Sequence, residues 1–113
     1  MQPMIVRGSE GQSVTMAAGA ARKTLGWGEH TLLSEVVMDK GGRVPLHSHP
    51  HEQIGYVTRG ALEFTIGDQT VVLRAGDGYA IPGNVVHAVR ALEDSAAVDV
   101  FSPVREEYKP NRS

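Results

Sequence analysis

The sequence predicts an all-β fold, a small barrel or sandwich, and two observations carry that expectation. Apolar residues recur in short runs rather than at helical spacing. Thirteen glycines and six prolines cut the chain at short intervals, leaving little room for helix. The expected strands are Ser13–Ala17, Thr31–Met38, Gln53–Thr58, Ala61–Ile66, Thr70–Leu73, Gly78–Ile81, His87–Ala91 and Ala96–Phe101. Gly67-Asp68 separates Leu62-Glu63-Phe64-Thr65-Ile66 from Gln69-Thr70-Val71-Val72-Leu73, the mark of a tight hairpin whose glycine supplies the positive φ of a type II′ turn. Asp39-Lys40-Gly41-Gly42, Arg59-Gly60 and Ala75-Gly76-Asp77-Gly78 mark three further turns.

With 113 residues and neither a linker nor a shift in composition, the chain reads as one domain over 1–113. A chain of this size buries roughly two thirds of its unfolded surface, so it carries a core without disulfides. The absence of cysteine excludes disulfide frameworks, thiolate zinc sites and cysteine nucleophiles together, and any bound metal must use nitrogen and oxygen ligands. Eleven basic and thirteen acidic side chains give a formal charge of -2. The longest like-charge run is Glu106-Glu107, so no surface for nucleic acid is expected. No stretch approaches the ~20 apolar residues that span a bilayer, and residues 1–7 lack the pattern of a secretory signal. The expectation is a soluble, cytoplasmic protein.

The most informative stretch is Gly41-Gly42-Arg43-Val44-Pro45-Leu46-His47-Ser48-His49-Pro50-His51-Glu52-Gln53. Residues two apart on a strand share a face, so His47 and His49 aim their imidazoles at one point from Cα atoms about 7 Å apart. Pro50 interrupts the ladder and lets the chain turn, returning Gln53 on the next strand as an oxygen donor. His87 opens a strand after the turn Pro82-Gly83-Asn84 and can complete the set. Five histidines in a chain of this length can also arise without a metal, as polar surface groups.

The spacing goes further than one His-x-His pair. Gly41, His47-x-His49, Gln53 and Gly60, followed by Gly76, Pro82 and His87, resemble the two signature motifs of the cupin superfamily, over roughly residues 30–105. The resemblance implies a double-stranded β-helix, or jelly-roll barrel, with one divalent metal ion inside. Zinc, nickel, iron, manganese and copper all suit such ligands. Two departures stand out. The usual glutamate is Gln53, and the glycine expected two residues after Pro82 is Asn84, which can still adopt a left-handed conformation. The asparagine that often follows the last histidine is Ala91. Three neutral imidazoles and a neutral amide leave the ion's charge uncompensated, which favours hydration, isomerisation or cyclisation over oxygen activation.

On a strand, Asp99 and Phe101 share one face and Val98 and Val100 the other, so an acid in an apolar strand can point inward. It either pairs with Arg105 as a salt bridge closing the barrel end or serves the chemistry. Residues 47–57 and 81–87, together with Asp99-Val100-Phe101-Ser102-Pro103-Val104-Arg105-Glu106, resemble the pectin-degradation cupins of the KdgF type, including the Gln53 variant. That subfamily linearises 4,5-unsaturated uronate monosaccharides from pectin and alginate breakdown to 5-keto-4-deoxyuronate. The resemblance implies that His47, His49, Gln53 and His87 hold the metal while Asp99, Phe101 and Arg105 line the substrate side. Arg105 would take the carboxylate of an anionic sugar acid, Asp99 would move a proton and Phe101 would pack on the ring. It also implies a homodimer paired through its sheets.

Two alternatives remain open: another cupin enzyme, either a dioxygenase or a polyketide cyclase, or a non-catalytic cupin that binds a sugar or other small molecule. His51 and His30 read as surface residues. Tyr56 and Glu63 face the cavity or solvent with equal claim. Trp27 reads as a core plug or a dimer contact.

Overall fold

The structure, a computed structural model, describes residues 2–110. Among these are ten strands: β1 (Ser13–Ala17), β2 (Ala20–Trp27), β3 (Leu32–Met38), β4 (Arg43–His47), β5 (Glu52–Arg59), β6 (Ala61–Ile66), β7 (Gln69–Arg74), β8 (Gly78–Ile81), β9 (His87–Ala91) and β10 (Ser95–Ser102). A 3-10 turn follows at Glu106–Tyr108. The strands form two antiparallel sheets, one of six in the order β1-β2-β3-β10-β5-β8 and one of four in the order β4-β9-β6-β7. They face each other as a jelly roll, the expected all-β class. No helix among the described residues is long and apolar enough to cross a membrane.

The eight expected strands recur, four with the expected bounds (β1, β6, β8 and β9) and four with ends shifted by one residue, and the structure adds two that the sequence reading omitted, β2 and β4. Alanine, glycine, arginine and lysine make β2 a poor strand former on propensity alone. Its pairing with both β1 and β3 overrides that preference. Pro45 argues against a strand in the middle of a sheet, but β4 lies at a sheet edge. Its pairing with β9 shifts register between Val44 and His47, so the missing N–H falls where no ladder bond is needed. The Gly67-Asp68 hairpin forms as expected: Ile66 pairs with Gln69, and Gly67 has φ 60° while Asp68 stays out of the positive region.

One core cluster lies between the sheets and contains Met38, Val57, Leu62, Phe64 and Ala97. Inward positions alternate along β5, β6 and β10, as sheets with one buried face require. A second cluster, of Leu32, Phe101, Val104 and Tyr108 with Trp27 packed against it, closes one end of the barrel. Trp27 therefore plugs that satellite core.

The loop between β8 and β9 pins the turn that carries His49. Asn84 adopts the left-handed conformation, φ 68°, and its N–H donates to the His49 carbonyl at 2.7 Å. Gly83 lies so close to the neighbouring turn that a Cβ there would sit 2.4 Å from the Pro50 carbonyl oxygen. The Gly-Asn order thus serves two needs, close approach at residue 83 and positive φ at residue 84. Gly83→Ala should cost about 1–3 kcal/mol in urea unfolding of the metal-free protein, and an unchanged midpoint would show that the loop gives way freely.

Candidate metal centre

His47 ends β4 and His87 opens β9, and the two are directly paired across the ladder. His49 lies just beyond β4, in the turn that leads into β5. Their ring centroids are 4.2 Å apart for His47 and His87, 5.0 Å for His49 and His87 and 5.7 Å for His47 and His49. One ring nitrogen from each lies within 4.8 Å of the others, a cluster that could hold a metal ion. The expected pair on one strand is thus met in modified form, two strands and a turn delivering the three rings.

The second nitrogens decide the tautomers. His47 Nδ1 lies 2.9 Å from the Pro45 carbonyl, His49 Nδ1 3.0 Å from that of His51 and His87 Nδ1 2.8 Å from that of Val85. A carbonyl only accepts, so each neutral ring carries its proton on Nδ1 and presents a bare Nε2 lone pair to the cluster. Such backbone contacts are the usual outer support of histidine ligands. His87 Nε2 is buried and has no hydrogen-bond partner among the described residues.

Gln53, 7% exposed, completes the group from β5. Its Oε1 lies 3.2 Å from His49 Nε2. Two acceptors facing one another repel unless a cation sits between or beside them. Asp99 is the diagonal neighbour of Gln53 on the same face of the β10–β5 ladder, and the polar contact between the two favours the amide nitrogen on the carboxylate side and the oxygen toward the imidazoles. The residues present therefore fit a divalent cation, with three nitrogen donors and one oxygen donor, all neutral.

Asp99, on β10, is 4% exposed and faces inward as the alternation predicts. Burial pushes its carboxyl above the ordinary carboxylate value, against the opposing pull of hydrogen bonds from Tyr79 and Gln53 and the charge of Arg105. The alternative expected from the sequence, an Asp99–Arg105 salt bridge, is not formed. Asp99 is occupied by Tyr79 and Gln53, and the ion pair recorded for Arg105 is with Glu107, at 3.7 Å.

Arg105 follows β10, with its guanidinium 4.1 Å from the ring centre of Tyr108 and 5.1 Å from that of Phe101. Its side chain is 14% exposed, and its Nε is buried without a hydrogen-bond partner among the described residues. Phe101, 2% exposed, packs edge-on against His49 at 5.7 Å and Tyr108 at 5.3 Å. These groups line one cavity of about 50 Å³ that also takes in His47, Gln53, Tyr79 and His87 and has an apolar floor including Val36, Leu62 and Phe64.

Other histidines and tyrosines sort differently. His51 is half-buried and outside the nitrogen cluster, although its Nδ1 is buried without a partner. His30 is at the surface. Tyr56 is on the outer face, and Glu63 pairs with Arg90 at 3.3 Å, so neither lines the cavity. The tyrosines that do are Tyr79 and Tyr108, which sequence reasoning passed over. A signal for Tyr79 existed in Gly55, an inward glycine in the middle of a strand, which often marks close approach by a neighbour.

Residues 34–102 match the family described as Cupin domain. Over 66 residues, 58% of this chain, the sequence is 41% identical to Protein SchB of Streptomyces halstedii and 38% identical to Polyketide synthase CurC of Streptomyces cyaneus. The matches take in 48% and 43% of those proteins, so the chain spans about half the length of the curated relatives it matches. The solved structure of KdgF from Halomonas sp. superposes with a TM-score of 0.88 at 30% identity, covering 96% of this chain and all (100%) of that one.

Protons compete with a metal for the Nε2 lone pairs. Burial, reinforced by Arg105 and His87, holds His49 below the ordinary 6.5, and burial does the same for His87. Both folded values lie under the unfolded one, so the stability these neutral rings contribute is complete above pH 6.5 and is lost as pH falls through the lowered values. The melting temperature of the metal-free protein should therefore drop as pH falls below 6.5, and His87→Asn should flatten part of that slope. A metal-free melting temperature independent of pH on that acid side would contradict it.

Proposed function

The chain belongs to the cupin domain family, and within it we propose that the protein is a metal-dependent enzyme that opens the ring of 4,5-unsaturated uronates to 5-keto-4-deoxyuronate. The observation that carries this reading is Arg105: a guanidinium only 14% exposed, whose Nε has a loose ion pair with the exposed Glu107 at 3.7 Å but no hydrogen bond among the described residues, beside an inward carboxylate and three convergent imidazoles. A largely covered guanidinium whose ion-pair carboxylate is exposed and beyond hydrogen-bonding distance is a cradle for the carboxylate of a ligand. The likeness to KdgF supports the substrate class.

His47, His49, Gln53 and His87 would hold the ion, which supplies Lewis-acid polarisation of a substrate oxygen when bound. Arg105 binds the uronate carboxylate and so fixes the sugar relative to Asp99. The net change is an isomerisation: C4 gains a proton, an oxygen loses one and the C1–O5 ring bond opens. Asp99 can serve both proton movements, because burial brings its carboxyl closer to neutrality than an exposed aspartate. Phe101 packs under the guanidinium and against His49, closing the site to water from below. A cavity of about 50 Å³ has room for a few waters, so the reacting edge of the sugar enters while the rest remains in the mouth.

A second reading, cyclisation of a polyketide, draws support from the CurC match and from the apolar cavity floor. One assay separates the two. Unsaturated galacturonate mixed with the metal-loaded protein should lose the absorbance of its conjugated double bond, and a chelator should stop that loss. Absence of any chelator-sensitive acceleration would exclude the uronate reading. Arg105→Ala should lower kcat/KM roughly 30-fold or more, and Arg105→Lys should restore little because it lacks the planar fork. Asp99→Asn should cost about 10²–10⁴-fold in kcat, and full ring-opening rate in that variant would remove Asp99 from the chemistry.

The expected homodimer finds support on the outer face of the six-stranded sheet. Leu33, Val100 and Ile54 form one cross-strand row there, with Tyr56 and Val37 exposed beside it. Ile54→Lys should convert a dimer to monomer in sedimentation velocity, and a wild-type protein that sediments as a monomer would refute the pairing.

A further inference from the structure

Tyr79, Gly55 and Asp99 stand in one cross-strand row, on β8, β5 and β10. The middle position has no side chain, and the tyrosine uses that gap. A Cβ on Gly55 would lie 2.2 Å from Cζ and 2.3 Å from the hydroxyl of Tyr79, so the phenol ring lies directly across the glycine. At its far end Tyr79 Oη donates to Asp99 Oδ1 at 2.5 Å. Asp99 is also the diagonal same-face neighbour of Gln53 on the β10–β5 ladder, in polar contact with its amide, and Gln53 Oε1 is turned toward His49 Nε2 at 3.2 Å. The chain of contacts runs from the apolar cavity floor, where the Tyr79 ring packs on Phe64 at 4.4 Å, to the imidazole cluster.

A glutamine side chain is nearly symmetric in shape, and either end fits the same space. Only the oxygen end can bind a cation; the other presents two N–H groups to it. Something must hold the amide in the correct sense, and a carboxylate that accepts on the side away from the cluster does so. Asp99 can hold the amide only while its own carboxyl plane is fixed, and its other partner is the Tyr79 hydroxyl.

We propose that Tyr79 is a positioning residue for the metal centre, acting through Asp99 to keep the Gln53 amide oxygen aimed at the ion. The proposal rests on the metal-site reading above. It explains why an amide stands where a carboxylate is usual. A glutamate at residue 53 would place two carboxylates in contact, while glutamine satisfies Asp99 with one end and offers an oxygen with the other. It also gives Gly55 a function, since any side chain there would block the tyrosine from reaching across.

The test is equilibrium competition for Co(II) between the protein and a metal-binding dye, with the visible spectrum of the bound ion as an independent report of its ligands. Wild-type protein should bind one Co(II). Tyr79→Phe keeps the ring packed on Phe64 and removes only the hydroxyl. It should weaken Co(II) roughly tenfold, the usual cost of losing an outer support, and alter the spectrum. In a Gln53→Glu background the same Tyr79→Phe change should cost less than about twofold, because a carboxylate offers oxygen at either end. Asp99→Asn, a second route to the same amide, should weaken Co(II) as Tyr79→Phe does. Equal losses from Tyr79→Phe in both backgrounds, or wild-type affinity in Tyr79→Phe, would overturn the positioning role. Failure of the wild-type protein to bind Co(II) at all would instead overturn the metal site itself.

Discussion

Three imidazole N–H groups bound to backbone carbonyls are the constraint on which the barrel mouth depends. An imidazole free to rotate or to shift its proton offers a cation two partial sites rather than one fixed lone pair. Here the carbonyls of Pro45, His51 and Val85 each take an Nδ1 proton from within two residues, so the tautomer is set by local backbone shape. That shape depends in turn on the chain around it. The edge bulge at Pro45 turns one carbonyl, and the Gly83-Asn84 loop holds the His49–Pro50 turn beside it. Much of the apparent irregularity of these loops follows from aiming three rings at a common point.

The charge balance of the cavity obeys a similar logic. The groups around the imidazole cluster are neutral, and the formal charges nearby, Asp99 and Arg105, are held apart rather than paired with one another. Had they closed into a salt bridge, each would have neutralised the other. Tyr79 and Gln53 satisfy the aspartate with neutral donors, and the ring faces of Phe101 and Tyr108 support the guanidinium. The cavity thus retains a carboxyl group and a guanidinium, each supported and neither cancelled.

The fold class was legible because short apolar runs and frequent glycine leave few other options, and the convergence of His47, His49 and His87 with Gln53 beside them was legible because strand period and turn spacing act locally. The inward face of Asp99 followed from the same alternation. What could not be read was set by neighbours distant in sequence. Strand β2 forms despite its composition because β1 and β3 flank it, and β4 tolerates Pro45 because it lies at an edge. Tyr79 reaches Asp99 only across a gap in a strand between them, a contact that no one-dimensional period encodes. Tyr56 and Glu63 had equal claims from alternation, and the sheet turned both outward.

Arg105 and Tyr108 belong to the segment after the last strand rather than to either sheet. That segment is tied back by the bond from Thr24 Oγ1 to the Tyr108 carbonyl and by the stacking of Arg22 on the tyrosine ring, 3.8 Å from its centre. The imidazoles sit on the sheet framework and its tight turns, whereas the guanidinium sits on the short segment that follows β10. The two can therefore diverge separately. Under the proposed function, substitutions in a few residues of that segment would change which molecule is selected while leaving the imidazole cluster intact, a division of labour by which one barrel could serve unlike ligands.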